Sequence, residues 1–357
     1  MSGSLERGKA DCFSDVDLDI RVRDAHYAAI ASTKAAFFDR LYPTVACVDA
    51  YHDDNFSTCA CLFHNLVCGD MGIVRESFAP MPSKPASLEK QAWSIRRKFL
   101  VSAENVADAL ARRHLWLARD GVENHMRFQL FRLLDLFHGP SEPRWAGRRI
   151  EPLLRRLGLS ERMQEAACSY ASQSIGRAQA VLINIFDEHF GARFSTDEPS
   201  PSNAILHDGS TERRRPDKKS MLQLAHTFWY EVANNVRFAG RGEQWFARFN
   251  YESFVMEAIL RLIEDATGSA LGWQPRGHYS TVECIDKLPD GFPERLAAIC
   301  QPDGIPFSWQ RMHAAMELFT ELSRQTGLMD HQGYPEEAGR SVSAYAEEVR
   351  AFTQQPT

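Results

Sequence analysis

No stretch of the 357-residue sequence approaches the roughly 18 uninterrupted apolar residues that a membrane span needs. The opening, MSGSLERGKADC, lacks the apolar core of a secretion signal, so a cytoplasmic protein without a membrane partner is expected. No C-x-x-C occurs among the eight cysteines, Cys12, Cys47, Cys59, Cys61, Cys68, Cys168, Cys284 and Cys300. Most have apolar neighbours, which points to buried, reduced thiols rather than a disulfide framework. Cys59-Ala60-Cys61 places two thiols on one face of a strand-like run, but without nearby histidines they make a poor metal site. An excess of positive charge is also lacking. With 41 Lys and Arg against 47 Asp and Glu, the net charge of −6 argues against a nucleic-acid surface and suits a cationic small substrate. One basic cluster, Arg213-Arg214-Arg215 to Lys218-Lys219, lies among Ser, Pro and Asp and reads as a solvated linker.

What is present has the balance of a soluble globular chain, 44% apolar and 25% charged, and is long enough for two or three units. Residues 1–87 alternate between strand and helix. Val16–Ile20 has period-two patterning, residues 25–41 form an amphipathic helix, and Thr44–Ala50, Phe56–Phe63 and Leu66–Val74 are β-rich. The last two runs flank His64-Asn65, the spacing of a two-residue hairpin. From about residue 88 long helical periods dominate, interrupted by a polar linker at 193–219. The expected fold is α+β: a small mixed-sheet domain at 1–87, then a larger all-α region of two similar helical modules at 88–192 and 220–357.

The two modules are read from an internal repeat. Laying Phe99–Gly139 over Phe228–Gly268 without gaps matches ten of 41 positions, where composition alone gives about two or three. Trp116-x-Ala118-Arg119 falls on Trp245-x-Ala247-Arg248, and Glu123 falls on Glu252.

The stretch that carries chemistry is GSLERGKADCFSDVDL, residues 3–18. Gly3 tolerates backbone conformations that other residues resist, and Ser4 adds a hydroxyl beside exposed amides, so the turn can cradle phosphates. Arg7 and Lys9 add positive charge nearby. Asp15 and Asp17, one residue apart in a strand, emerge on the same face and repel unless a cation sits between them. With Mg²⁺ they become oxygen ligands for a nucleotide's phosphates. Asp70, in LVCGDMGIV, has the apolar flanks of a central strand, where a charge needs a reason, and is the best candidate for a third carboxylate of a two-metal site.

The Gly-Ser turn followed about ten residues later by Asp-x-Asp in a strand resembles the DNA polymerase β-like nucleotidyltransferases, closest to their antibiotic-modifying and toxin–antitoxin branches. The resemblance implies that Gly3 and Ser4, with Arg7 and Lys9, hold the phosphates of ATP or another NTP. It implies that Asp15 and Asp17 bind two Mg²⁺ ions, and that Asp70 ligates metal or acts as general base. Members place a helix and an apolar strand before the turn. Only Met1 and Ser2 precede it here, so the domain is expected to lack its first helix and strand. Residues 228–264 look like the helical C-terminal domain of aminoglycoside 6-adenylyltransferases, with Arg241, Glu243 and Ala247 matching its R-x-E-x-x-x-A pattern. Glu231, Glu243 and Glu252 are candidates to contact an amino-sugar, although solvated helix faces are the commoner placement. Arg119 and His125 have the R-x5-H spacing of helical ribonuclease toxins, a spacing loose enough that an unrelated surface pair is the expected reading.

The function expected is Mg²⁺-dependent transfer of a nucleotide, AMP from ATP, to a hydroxyl of a small, aminoglycoside-like acceptor. A non-catalytic nucleotide-binding module and an antitoxin-like protein nucleotidyltransferase stay open as alternatives, as does a homo-oligomer.

Overall fold

A computed structural model describes residues 16–78, 87–139, 150–194, 218–276, 279–282, 285 and 288–354. The chain divides into two compact units, and it crosses between them four times. The first comprises the described parts of Met1–Lys84, Asp217–Gly242 and Met316–Thr357; the second those of Pro85–Pro216 and Glu243–Ala315. No described helix is long and apolar enough to cross a membrane.

The first unit is organised by a four-stranded sheet of β1 (Val16–Val22), β2 (Thr44–His52), β3 (Phe56–Phe63) and β4 (Cys68–Arg75). Their spatial order is β1-β4-β3-β2, with β1 and β4 parallel and the other pairs antiparallel. Side-chain alternation divides the strands into two faces. One carries Leu18, Ile20, Cys59, Cys61, Phe63, Met71 and Ile73, packed against Tyr27, Ala31 and Phe38 of α1 (Asp24–Ala31) and α2 (Lys34–Leu41). The single helix expected over 25–41 is two. The Ser32 and Thr33 hydroxyls donate to Ala29 O at 3.0 Å each, competing with the backbone ladder where the helix breaks. The β3–β4 connection is also longer than two residues: β4 starts at Cys68, and Leu66 takes a φ of 62°, rare for a side chain with a branched Cγ.

The other face of β2, β3 and β4 meets α9 (Lys218–Gly240), and α14 (Glu336–Thr353) packs on α9. Gly339 permits that approach, because a Cβ there would lie 2.9 Å from the Trp229 ring. His226 fastens α9 on both sides. Its Nδ1 accepts from Cys47 N at 3.4 Å, and its Nε2 lies 3.0 Å from Gly333 O, which makes Nε2 the protonated nitrogen.

The second unit contains α3 (Leu88–Ala111), α4 (Leu115–Asp120), α5 (Arg127–His138), α6 (Ile150–Arg156), α7 (Ser160–Glu165) and α8 (Ser172–Phe190). It also contains α10 (Gln244–Asn250), α11 (Met256–Thr267) and α12 (Phe292–Ile299). A hairpin of β5 (Trp273–Arg276) and β6 (Tyr279–Val282) corrects the expectation that this region is wholly helical. α13 (Trp309–Gln325) begins in this unit and ends in the first. The repeated stretches share one element order. A long helix, α3 or α9, precedes a short one, α4 or α10. A π-helical turn follows, Gly121–Met126 or Tyr251–Val255, and then a twelve-residue helix, α5 or α11.

Within the second unit the two π-helical turns meet by exchanging charges. Arg119 pairs bidentately with Glu252 at 2.5 and 2.6 Å, and its counterpart Arg248 pairs bidentately with Glu123 at 2.7 and 2.8 Å. Asn124 and Ser253, equivalent in the repeat, hydrogen bond to each other at 3.1 Å, as residues on a local two-fold axis do. Arg127 also binds Glu123 and donates to Ala166 O. Three guanidiniums thus face two carboxylates, and carbonyls of Cys168, Pro302 and Ile305 take further Arg248 donors. Burial, with the adjacent Arg248, pulls Arg127 down to about 9, and burial pulls Arg248 to about 10. Burial alone would raise the Glu252 carboxyl, but Arg119 holds it below its ordinary value.

Glu151 of α6 supplies another buried carboxyl. Its Oε1 accepts from Trp245 N at 2.8 Å, capping α10, whose own N-cap residue Glu243 makes no side-chain cap bond. Its Oε2 is buried with no hydrogen-bond partner. Burial raises this carboxyl to about 7, with Glu243 adding to the effect.

Three measurements test these assignments. Glu252→Gln, which leaves Arg119 buried beside a neutral group, should cost about 3–5 kcal/mol in denaturant unfolding, whereas joint replacement by Arg119→Met and Glu252→Leu should cost much less. Burial lowers the His226 pKa, so its neutral form favours the fold, and that contribution is lost as pH falls from about 6.5 through the folded value. His226→Gln should therefore flatten the acid limb of the stability profile. Glu151 has the opposite sign: its contribution is complete below the unfolded value and is lost as pH rises through about 7. Glu151→Gln should remove that slope and leave the protein more stable than wild type at pH about 8.

Candidate active site

The carboxylates converge on the sheet face opposite Leu18 and Ile20. Asp17 of β1 is the register partner of Asp70 on β4, so the two side chains emerge side by side from adjacent strands. Strand separation is about 4.8 Å, close enough for two anions to repel strongly unless a cation or hydrogen-bond donor intervenes. β4 lies between β1 and β3, the central position expected for it. Asp70 is the one exposed residue between buried Gly69 and Met71, so its charge remains hydrated while its backbone is locked in the sheet.

Asp19 is a carboxylate that the sequence reading passed over. It lies two residues beyond Asp17 on the same face, in register with Gly72. A Cβ on Gly72 would lie 2.1 Å from Asp19 Oδ1, so the glycine leaves the space into which this carboxylate leans. The alternation of Asp15, Asp17 and Asp19 was the available signal. Gly3, Ser4, Arg7, Lys9 and Asp15 lie outside the described residues. Among the described residues no group of three His, Cys, Asp or Glu side chains is arranged to hold a metal. The pair brought together is Asp17 and Asp70.

α9, which contacts β4, brings Tyr230 within electrostatic reach of Asp70. The Tyr230 hydroxyl is held well above its ordinary pKa, by burial first and then by Cys68, Asp70 and Glu231, so it stays protonated beside the carboxylate. Asn234 links this group to its helix neighbours: its Nδ2 donates to Glu231 Oε2 at 3.2 Å, and its Oδ1 accepts from Arg237 at 3.0 Å. Tyr230 was not singled out from the sequence. Nothing in helical periodicity distinguishes a tyrosine facing a carboxylate from one facing a core.

Other singled-out residues have structural placements. Glu252 is neither solvated nor available to an acceptor, because Arg119 occupies both its oxygens. The same pairing removes Arg119 from any R-x5-H site, and His125 lies 3.5 Å from Asp120 instead. Ala247 is fully buried, and Glu243 stands at the start of α10.

Neither a curated protein nor a solved structure matches the chain at a significant level. A protein-family model does. It matches residues 196–349, a stretch that begins beyond the sheet and takes in α9 to α13 and most of α14. It contains the whole of 228–264, the segment already similar to aminoglycoside 6-adenylyltransferases. The family is that of streptomycin adenylyltransferase, and through this stretch the chain is similar to the aminoglycoside adenylyltransferase-like nucleotidyltransferases.

Proposed function

We propose that the protein transfers a nucleotide, AMP from ATP, to a hydroxyl of a small cationic acceptor of the aminoglycoside class, releasing pyrophosphate. The observation that carries this reading is the register pairing of Asp17 with Asp70 on one sheet face. The adenylyltransferase family match supports it independently, since the matched residues do not include either aspartate. Paired carboxylate oxygens are the donor type that Mg²⁺ prefers, and Asp15 would complete the set with Asp17 and Asp70. Mg²⁺ held there would supply charge neutralisation at the phosphates during in-line displacement at the α-phosphorus.

The protein's own residues then have separable roles in the proposal. Asp17 and Asp15 would hold the Mg²⁺ ion, which would supply charge neutralisation at the triphosphate, and Gly3, Ser4, Arg7 and Lys9 would cradle its phosphates. Where it does not ligate the metal, Asp70, the more exposed of the described pair, takes the proton of the acceptor hydroxyl. The neutral Tyr230 hydroxyl beside it offers a hydrogen-bond donor that does not compete for that proton. An acidic face suits a cationic acceptor, in keeping with the net charge of −6. A homo-oligomer and a protein acceptor remain compatible with this chemistry.

Calorimetric titration with ATP, with Mg²⁺ and then with EDTA, tests the site before any acceptor is known. Wild type should bind only with the metal. Asp17→Asn should weaken binding roughly 100-fold while leaving the thermal midpoint unchanged or raised, because removing one of two facing charges relieves repulsion. Full metal-dependent binding by Asp17→Asn would refute the assignment. Pyrophosphate release across a panel of amino-sugars would then separate a transferase from a binding module, which would take up ATP and release nothing.

A further inference from the structure

On the sheet face away from the carboxylates, two thiols stand opposite each other. Cys47 of β2 and Cys61 of β3 are register partners, and their Sγ atoms are 3.5 Å apart. Neither forms a disulfide here, and Cys61 is buried and Cys47 half-buried. The backbone settles which kind of cross-strand pair they make. Cys47 N donates to His226 Nδ1, and Cys47 O accepts from Gln223 Nε2 at 3.5 Å, so both backbone groups of Cys47 point away from β3. The pair is therefore non-hydrogen-bonded. At such positions opposed Cα atoms approach to about 4.5 Å and side chains are closest. That separation lies inside the range of roughly 4.4–6.8 Å that a disulfide spans. Closing the sulfurs to about 2.05 Å needs side-chain rotation rather than strand movement.

We propose that Cys47 and Cys61 are a redox modification site, oxidised by peroxide to a cross-strand disulfide. Cys47, the more exposed thiol, attacks as its thiolate. Its sulfur takes one oxygen of hydrogen peroxide as the O–O bond breaks, leaving a sulfenic acid and hydroxide. The Cys61 thiolate then attacks the Cys47 sulfur, the S–S bond forms and the sulfenic oxygen leaves as hydroxide. The two thiol protons convert both hydroxides to water. In sum, two thiols and one peroxide give one disulfide and two waters, and the two electrons lost by sulfur reduce the peroxide. The bond ties the edge strand β2 to β3. Cys59 shares this face but has Asp49, not Cys47, as its β2 register partner.

The test uses the full-length, folded protein. It is treated with a small excess of hydrogen peroxide, quenched with N-ethylmaleimide and analysed by intact mass and non-reducing peptide mapping. The expected result is loss of two hydrogens per chain, about 2 Da, in a peptide joining Cys47 to Cys61, restored by a dithiol reductant. Cys59→Ser should behave as wild type, and Cys47→Ser should form no bond to Cys61. The oxidised protein should melt at a higher temperature, since the bond restricts the unfolded chain. Alkylation of both Cys47 and Cys61 after peroxide, in protein whose circular dichroism is native, would overturn the proposal. So would a bond from Cys47 to Cys59, or conversion of Cys47 to a sulfinic acid without a bond.

Discussion

The second unit depends on the exchange of Glu123 and Glu252 between Arg248 and Arg119. Removing four such charges from water costs several kcal/mol per ion, and attraction offsets that only when the geometry satisfies nearly every donor. Here each main pair is a two-toothed fork, and each carboxylate also accepts a backbone amide, Cys168 N at 3.1 Å for Glu123 and Gln301 N at 3.4 Å for Glu252. Those amides belong to the loops that lead into α8 and α13. The ion pairs therefore dictate where two loops run as well as how the repeats meet. An α-helix would set Arg119 beside Glu123 and Arg248 beside Glu252, at the i,i+4 spacing. The wider π-helical turns start within that spacing, and each glutamate pairs with the other repeat's arginine instead.

The first unit meets a different constraint, that neighbouring side chains of a strand emerge on opposite faces. Leu18, Ile20, Met71 and Ile73 take the face covered by α1 and α2, which leaves Asp17, Asp19 and Asp70 together on the other. A one-residue slip between β1 and β4 would bury the aspartates and expose the core. The hydrophobic pattern thus enforces the register that pairs Asp17 with Asp70. The thiols of β3 follow the same rule: Cys59 and Cys61 alternate onto the face covered by α1 and α2, which is why neither reaches the carboxylates.

Much of this was legible in the sequence where the signal was local or repeated. Period-two patterning at Val16–Ile20 and three β-rich runs located the four strands to within a few residues, and the Trp-x-Ala-Arg repeat located equivalent helices 129 residues apart. Asp70 stood out because a charge between Gly69 and Met71 contradicted its surroundings. The misses have physical causes. The helix break at Ser32-Thr33 comes from hydroxyl back-bonding that a hydrophobic pattern does not register. Pairing of β1 with β4 is a long-range choice that no window of neighbouring residues contains. Glu252 looked like any helix-surface glutamate, since burial there is decided by an arginine 133 residues earlier.

That last contrast bears on how acidic residues in this chain are to be interpreted. Glu252 and Asp70 are both carboxylates that the sequence offers as site candidates, Asp70 the stronger of the two for its apolar flanks. Glu252 has its oxygens occupied by a buried guanidinium and an amide, and its pKa is held down by Arg119, so its charge is committed to folding. Asp70 is exposed, abuts a second carboxylate, and faces a tyrosine that remains protonated. Bringing two like charges into register weakens a fold unless something else compensates, whereas exchanging opposite charges across a repeat stabilises one. The hydrophobic register sets Asp17 beside Asp70 on one face, where two like charges need a donor or a countercharge between them. Glu123 and Glu252, by contrast, meet their countercharges inside the fold.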